Sequence, residues 1–311
     1  MMVSFIVIAY NEERNIERTL RAILAQKDLS DYEVVVVNDG SKDKTVEVVT
    51  TLAAKHTAIR IVDLQPNQGR GAARAAGVAA AKGRYFAFVD ADIVLPEDWL
   101  ARCLPYMKTH DACGGIAVPD GDVAYVHRVL RLTPKVAPHS TTVTGSNGLF
   151  KREVFDKVSF NPKKKNGEDV DLGYQILEAG FRTIAVPGLL VEHNETKTYG
   201  ESIDWLFTSG RGASRQFYEH TEVRLPDLAF FGFICVSIAA IITFVWLPIT
   251  WFWPILWILA YVSGSSFMHL QGKFELSRSL PASFAGVVIN DSLLLAYYLG
   301  RTIGMITEWK I

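Results

Sequence analysis

The chain reads as an α/β protein whose mostly parallel, doubly wound sheet is flanked by helices and followed by apolar C-terminal helices. Three observations carry that reading. Short runs rich in Val, Ile, Phe and Tyr alternate with amphipathic stretches through the first third of the chain. Carboxylates and amides gather where those runs end, and from Leu228 to Met268 no residue carries a formal charge.

The runs Val3–Ala9, 33–38, 59–63 and 85–89 are each too short for a helix and are bounded by polar or turn residues, as buried strands are. Between them, 12–26, 43–56 and 71–82 place apolar residues at helical spacing, as with Ile16, Leu20, Ile23 and Leu24. Strand–helix alternation implies right-handed crossovers and a parallel sheet. Such sheets collect ligands at the carboxyl ends of their strands.

A bilayer crossing takes roughly 20 apolar residues. The uncharged run therefore accommodates two spans, 228–247 and 249–268, turning near Leu247-Pro248 or Trp253-Pro254. Trp246, Trp251, Trp253 and Trp257 suit an interfacial belt. A third apolar segment, 284–306, carries Asp291 and Arg301, costly in lipid unless they face protein, water or a headgroup. It either spans or lies in the interface. The composition shift at 224–227 divides the chain into an α/β domain, 1–225, and a membrane domain, 226–311.

Val3–Ala9 is short for the apolar region of a signal peptide and runs straight into Tyr10-Asn11-Glu12-Glu13. After two spans, the loop 271–279 with Lys273 and Arg278 returns to the side that positive charge prefers. The expected location is integral to the cell membrane, with the N-terminal domain facing the cytosol. Cys103, Cys113 and Cys235 show no C-x-x-C spacing, so neither a disulfide framework nor a thiolate metal site is expected. A net charge of −1, with no dominant basic cluster beyond Lys163-Lys164-Lys165, gives no reason to invoke nucleic acid, and no nucleic-acid partner is expected. That triplet reads as a solvated loop.

The chemistry lies at the strand ends. The first runs into Ala9-Tyr10-Asn11-Glu12-Glu13 and the second into Asn38-Asp39-Gly40-Ser41. Asp39 suits a hydrogen bond to a base or ribose, although Asp-Gly is also an ordinary turn and Ser41 or Asp43 an ordinary helix cap. Asn67-Gln68-Gly69-Arg70-Gly71-Ala72-Ala73-Arg74 opens a helix; its glycines permit close backbone approach, and Arg70 or Arg74 suits a diphosphate. Solvated arginines on a loop are the plainer alternative.

The fourth strand ends in Asp90-Ala91-Asp92. In extended backbone the two carboxylates share a face, and a hard cation, Mg²⁺ or Mn²⁺, would reconcile them while binding substrate diphosphate. Gly167-Glu168-Asp169 starts an amphipathic stretch; acids there satisfy a helix dipole, or Asp169 is a general base with Glu168 orienting the acceptor. His193, in Val191-Glu192-His193-Asn194, would complete a metal site begun by Asp92.

Taken in order, Ala9-Tyr10-Asn11-Glu12-Glu13, Val37-Asn38-Asp39-Gly40-Ser41, Asp90-Ala91-Asp92, Thr144-Gly145-Ser146-Asn147 and Glu168-Asp169 resemble the family 2 glycosyltransferases of the GT-A fold. The resemblance covers about 1–195. It implies inverting transfer of a sugar from a nucleotide-diphosphate donor, UDP- or GDP-linked. Carried over, it makes Asp39 a nucleotide contact, Asp92 a metal ligand, Asp169 the base and His193 a further metal or diphosphate contact.

Processive synthases of that family carry Q-x-x-R-W after the base; here Gly210-Arg211-Gly212-Ala213-Ser214-Arg215-Gln216 occupies the region. Single-sugar addition to a membrane-lipid or lipid-linked glycan acceptor is therefore expected. The alternatives are a polyprenyl-phosphate acceptor, a processive synthase, or a catalytically silent nucleotide or sugar sensor. Residues 199–218 read as an interfacial helix with Arg211 and Arg215 one turn apart, on a face that suits lipid phosphate. Simple surface arginines remain the alternative.

Overall fold

A computed structural model describes residues 2–27, 29–119, 145–194, 197–219 and 284–307, together with Gly232, Cys235 and Ile242. The expected spans 228–247 and 249–268, apart from those three helical positions, lie outside the described residues, as do Thr144, the four tryptophans and the loop 271–279. The chain forms two compact units. Among the described residues, the first holds those up to 119 and 145–194, and the second 197–219 and 284–307. This division falls before the composition shift at 224–227, and within the second unit the helix that follows residue 198 packs on the C-terminal helix.

The first unit is built on one sheet of β1 (Val3–Ala9), β2 (Tyr32–Asp39), β3 (Ile59–Leu64), β4 (Tyr85–Asp90), β5 (Ile93–Val94), β6 (Ala112–Pro119), β7 (Asn147–Lys151) and β8 (Thr183–His193). Their order is β3-β2-β1-β4-β7-β6-β8-β5. The four strands legible in the sequence pair in parallel. Beyond β4 the pairing is mixed, with only β6–β8 parallel, which corrects the expectation of a mostly parallel sheet for that half. Gly114 pairs with Gly148, and a Cβ on Gly114 would lie 2.6 Å from the Asn147 carbonyl oxygen. Strands joined through glycines lose the apolar signal that marks the first four.

The sheet is covered on both faces. Val34 and Val36 of β2 pack with Ile16, Leu20 and Ile23 of α1 (Ile16–Leu24) and Val49 and Leu52 of α2 (Thr45–Ala53). Val35 and Val37 turn the other way, toward Ala73 of α3 (Arg70–Ala80), as period-two alternation requires. A small helix, α4 (Trp99–Cys103), follows β5. On the α3 side, Leu172 and Ile176 of α5 (Glu168–Glu178) join Phe86, Phe88 and Phe150. Burying each such side chain contributes about 1.5–3 kcal/mol, which fixes α5, and the acids at its start, against β4.

Helix α1 starts four residues later than the sequence suggests. Asn11 adopts φ 57, and the amides of Glu12 and Glu13 donate to Thr45 Oγ1 at 2.8 Å and Asp43 Oδ2 at 3.1 Å. Those side chains divert the amides from a helical turn.

In the second unit, α6 (Tyr199–Ala213) opens with a Thr198–Glu201 capping box, and α7 (Gln216–Glu219) follows a turn. The expected single helix over 199–218 is thus corrected. Ser214 Oγ donates to the Arg211 carbonyl at 2.7 Å, and a turn at Ser214-Arg215 interrupts the helix between Arg211 and Arg215. The apolar segment 284–306 forms α8 (Phe284–Thr307), which packs on α6 through Leu206, Leu293 and Tyr297. Glycines set the approach: a Cβ on Gly210 would strike the Tyr297 carbonyl, and one on Gly300 the Phe207 carbonyl. Arg301 is fully buried and donates through Nη1 to the Ala213 carbonyl at 3.0 Å, at the negative end of α6. Its charge faces protein. Among the described residues no helix is long and apolar enough to cross a membrane.

Candidate active site

The parallel half of the sheet aims β1, β2 and β4 at one edge, and the loops leaving it are bound to one another. Asn11 donates its amide to Ser41 Oγ at 3.0 Å and accepts the Lys42 amide at 2.8 Å through Oδ1. Tyr10, between Ala9 and Asn11, is exposed. Glu12 accepts from Asn15 Nδ2 at 2.9 Å, and Asn15 Oδ1 accepts from Asn194 Nδ2 at 2.7 Å. A chain of amides thus links the β1 loop to the end of β8.

Asp39 is buried and holds the next loop. Its Oδ1 accepts the Gln68 amide at 2.7 Å, and its Oδ2 accepts the Gly69 amide at 2.9 Å and Asn67 Nδ2 at 3.0 Å. Gly69 has φ 94, a conformation that suits glycine alone. The Gly71 amide donates to the Lys164 carbonyl at 2.9 Å. The amides of residues 68, 69 and 71 therefore have protein acceptors. Lys164 itself is buried, with Nζ 2.9 Å from Asp171 Oδ1. This corrects the expectation of a solvated Lys163-Lys164-Lys165 loop: only the outer two are exposed.

Arg74 also departs from expectation. A diphosphate contact would need an accessible guanidinium, whereas Arg74 is 2% exposed. Nε donates to Glu168 Oε1 at 3.0 Å, Nη1 to the Gly145 carbonyl at 2.5 Å and Nη2 to Asp90 Oδ1 at 2.8 Å. Phe88 and Phe160 flank it, with ring centroids 6.0 Å and 5.7 Å from Cζ. Arg70, by contrast, is half-buried, and its charge acts on both Asp90 and Glu168.

Two carboxylates, half-buried Asp90 and buried Glu168, share one buried guanidinium and leave net negative charge around it. Burial is the main force raising the Asp90 carboxyl, followed by the repulsion of Asp92, while Arg74 and Arg70 draw it down. Burial and then Asp169 raise Glu168, again against Arg74 and Arg70. Arg74 is held firmly in its charged form despite burial, chiefly by Asp90 and Glu168. Glu168 is 1% exposed, so it braces the site from behind and does not meet an acceptor, which corrects its expected catalytic role. Asp169, the next residue, is half-buried in the first turn of α5.

Strand β4 ends at Asp90, and Ala91 and Asp92 lie in the following turn. The Ala91 carbonyl accepts from Thr19 Oγ1 at 2.7 Å, and the Asp92 carbonyl from the Asn194 amide at 2.8 Å. Because Ile93 pairs with His193 across β5–β8, the imidazole reaches the turn: Nε2 stands 3.0 Å from Asp92 Oδ2. Carboxylate and imidazole at a ligand edge fit a divalent cation of the Mn²⁺ type. Among the described residues no three His, Cys, Asp or Glu side chains form a metal-binding group. Mg²⁺-type ions held by one or two protein ligands and substrate phosphate need no such cage.

Asn147 was not singled out by itself in the sequence. Its Oδ1 accepts the Gly115 amide at 2.7 Å, and the neighbouring Ser146 carbonyl accepts the Asp90 amide at 3.0 Å. Asn15 and Asn194 were likewise missed as a linked pair; a buried amide carries no local pattern that marks its partner. Arg211 and Arg215 belong to the second unit.

An acidic cluster at the carboxyl edge of a parallel half-sheet, extended by mixed strands that carry a helix-borne acid and a histidine to the same edge, defines a GT-A-like fold. The chain belongs to glycosyl transferase family 2, whose family model matches residues 4–159.

The succinoglycan biosynthesis protein ExoO of Rhizobium meliloti is 40% identical over 208 residues, 60% of this chain and 58% of ExoO. The dolichyl-phosphate beta-glucosyltransferase ALG5C of Trichomonas vaginalis is 42% identical over 96 residues, 29% of this chain and 28% of that one. The chain thus spans less than two thirds of either relative. Among solved structures, the mannosyltransferase PcManGT of Pyrobaculum calidifontis, in complex with GDP-Man and Mn²⁺, aligns with a TM-score of 0.59. At 20% identity over 98% of this chain and 87% of that one, it shows the shared fold.

Proposed function

We propose that the protein is an inverting, metal-dependent transferase that moves a single sugar from a nucleotide-diphosphate donor to a membrane-lipid or lipid-linked acceptor. The observation that carries this reading is Asp169, half-buried beside Glu168 and close enough to Asp90 to raise its carboxyl. A base so placed accepts the proton of an attacking hydroxyl as the sugar leaves its diphosphate. Inversion follows from one direct displacement, since no second carboxylate is needed as a nucleophile.

Asp39 organises the 67–69 loop that would border the nucleotide, with Tyr10, Asn11 and Glu12 on the other side. Arg70 supplies positive charge toward the diphosphate. Asp92 and His193 would hold Mg²⁺ or Mn²⁺, with Asp90 behind them; bound there, the cation neutralises charge on the leaving diphosphate.

A lipid acceptor is supported by the uncharged run 228–268 and by the dolichyl-phosphate transferase match. On this reading 226–311 is a membrane domain, and the catalytic domain, 1–225, faces the cytosol. The phosphate acceptor named by that match is the second reading; a hydroxyl acceptor is preferred because a phosphate oxygen needs no base such as Asp169.

Calorimetric titration of the detergent-purified protein with UDP and GDP, each with and without Mn²⁺, tests the donor side. Metal-dependent binding of one nucleotide is expected; binding of neither would sink the reading. Alkaline extraction of membranes tests the anchor, which fails if the protein is released.

A further inference from the structure

We infer that Arg74 is a positioning residue that sets the donor-side acids against the helix bearing the candidate base. This inference rests on the transferase reading of the site. One planar guanidinium reaches three segments, 16, 94 and 71 residues away in sequence: Asp90 on β4, Glu168 on α5 and the Gly145 carbonyl. Each segment carries part of the site. Asp90 leads by two residues into Asp92, Glu168 precedes Asp169, and Ser146, after Gly145, accepts the Asp90 amide at 3.0 Å.

Arginine suits this task because its donors form a rigid fork. Three bonds from one plane fix relative angles as well as distances, which the flexible ammonium of lysine does not. The flanking Phe88 and Phe160 rings exclude water and face the cation with their negative π surfaces. A charge on Arg74 also stands between two carboxylates, half-buried Asp90 and buried Glu168, that would otherwise face each other uncompensated. Gly145 completes the seat: a Cβ there would lie 2.5 Å from Arg74 Cζ and 2.9 Å from Nη2.

The geometry has a functional consequence. Displacing reacting groups by an ångström costs on the order of 100-fold in rate. Loss of the fork should thus lower turnover while leaving the nucleotide-binding loops, tied together by Asp39 and Asn11, largely as they are.

The test uses two variants of the full chain. Arg74→Lys keeps charge and removes the fork; Gly145→Ala keeps every charge and pushes the guanidinium aside. For each, release of nucleoside diphosphate from UDP-glucose and GDP-mannose is measured with Mn²⁺, beside amide hydrogen exchange. Expected are a kcat lower by roughly 100-fold with KM for the donor within about 3-fold. Exchange should rise at 145–147 and 168–172 and stay unchanged in β1–β3. Turnover within about 2-fold of the parent in either folded variant overturns the inference. So does failure of both to fold, which would make the cluster a core ion network. If the parent itself releases no nucleotide, the transferase reading falls, and the exchange pattern alone still decides whether Arg74 registers the two segments.

Discussion

His193 Nε2 lies 3.0 Å from Asp92 Oδ2, across 101 residues of chain. The two meet because β5, only two residues long, pairs antiparallel with the end of β8 and sets Ile93 opposite His193. If this pair holds the cation, His193→Ala should weaken Mn²⁺-dependent nucleotide binding by about 10–100-fold. Binding measured without metal should change little. Equal affinity for nucleotide with Mn²⁺ in variant and parent would remove His193 from the metal site.

Asp169→Asn preserves shape and removes the base. Transfer should fall by about 100- to 10,000-fold, while calorimetric affinity for the donor nucleotide stays within a few fold. Normal turnover on the true acceptor would assign the base elsewhere.

Asp39→Ala should act first on the loop it holds. Its carboxylate accepts three hydrogen bonds from residues 67–69, and bonds to a charged group contribute about 1.5–3 kcal/mol each. Since the freed amides regain water, a net loss of about 2–4 kcal/mol is expected, with weaker nucleotide binding. A denaturation midpoint equal to the parent's would show that the loop stands without it.

Stability should depend on Glu33 at acid pH. Burial pushes its carboxyl up, but hydrogen bonds from Ser4 and the Lys82 amide, with the pairing to Arg60, outweigh it and bring the group below its ordinary 4.5. A lowered folded-state value means the unfolded chain binds the proton more readily. The contribution is complete above about pH 4.5 and disappears as pH falls through the depressed value. Urea melts between pH 7 and pH 3 should show Glu33→Gln less stable than the parent at the upper end. The two should converge at the lower; a constant gap would contradict the linkage.

Much of the first unit was legible without coordinates. β1–β4 and α1–α3 are marked by local composition, since runs of Val34 to Val37 type are buried on both faces and need no distant partner to be recognised. The acids at Asp39, Asp90, Asp92 and Asp169 were legible for the same reason: each sits where a strand or helix begins or ends. Strands β6–β8 were not, because glycine pairs such as Gly114–Gly148 depend on close approach between chains, which leaves no apolar signature.

By itself, then, the sequence determined the strand–helix alternation, the edge at which the acids gather, and the uncharged segment near the C-terminus, all consequences of periodicity and composition along the chain. Tertiary structure decided what each polar group touches. It turned Arg74 and Glu168 inward to brace the site, buried Lys164 against Asp171, brought His193 to Asp92, and enclosed Arg301 at the end of α6. The physical reason is that the cost of burying a charge depends on partners supplied from elsewhere in the fold. Arg74 is the plainest case, since the acids that make its burial tolerable come from β4 and α5.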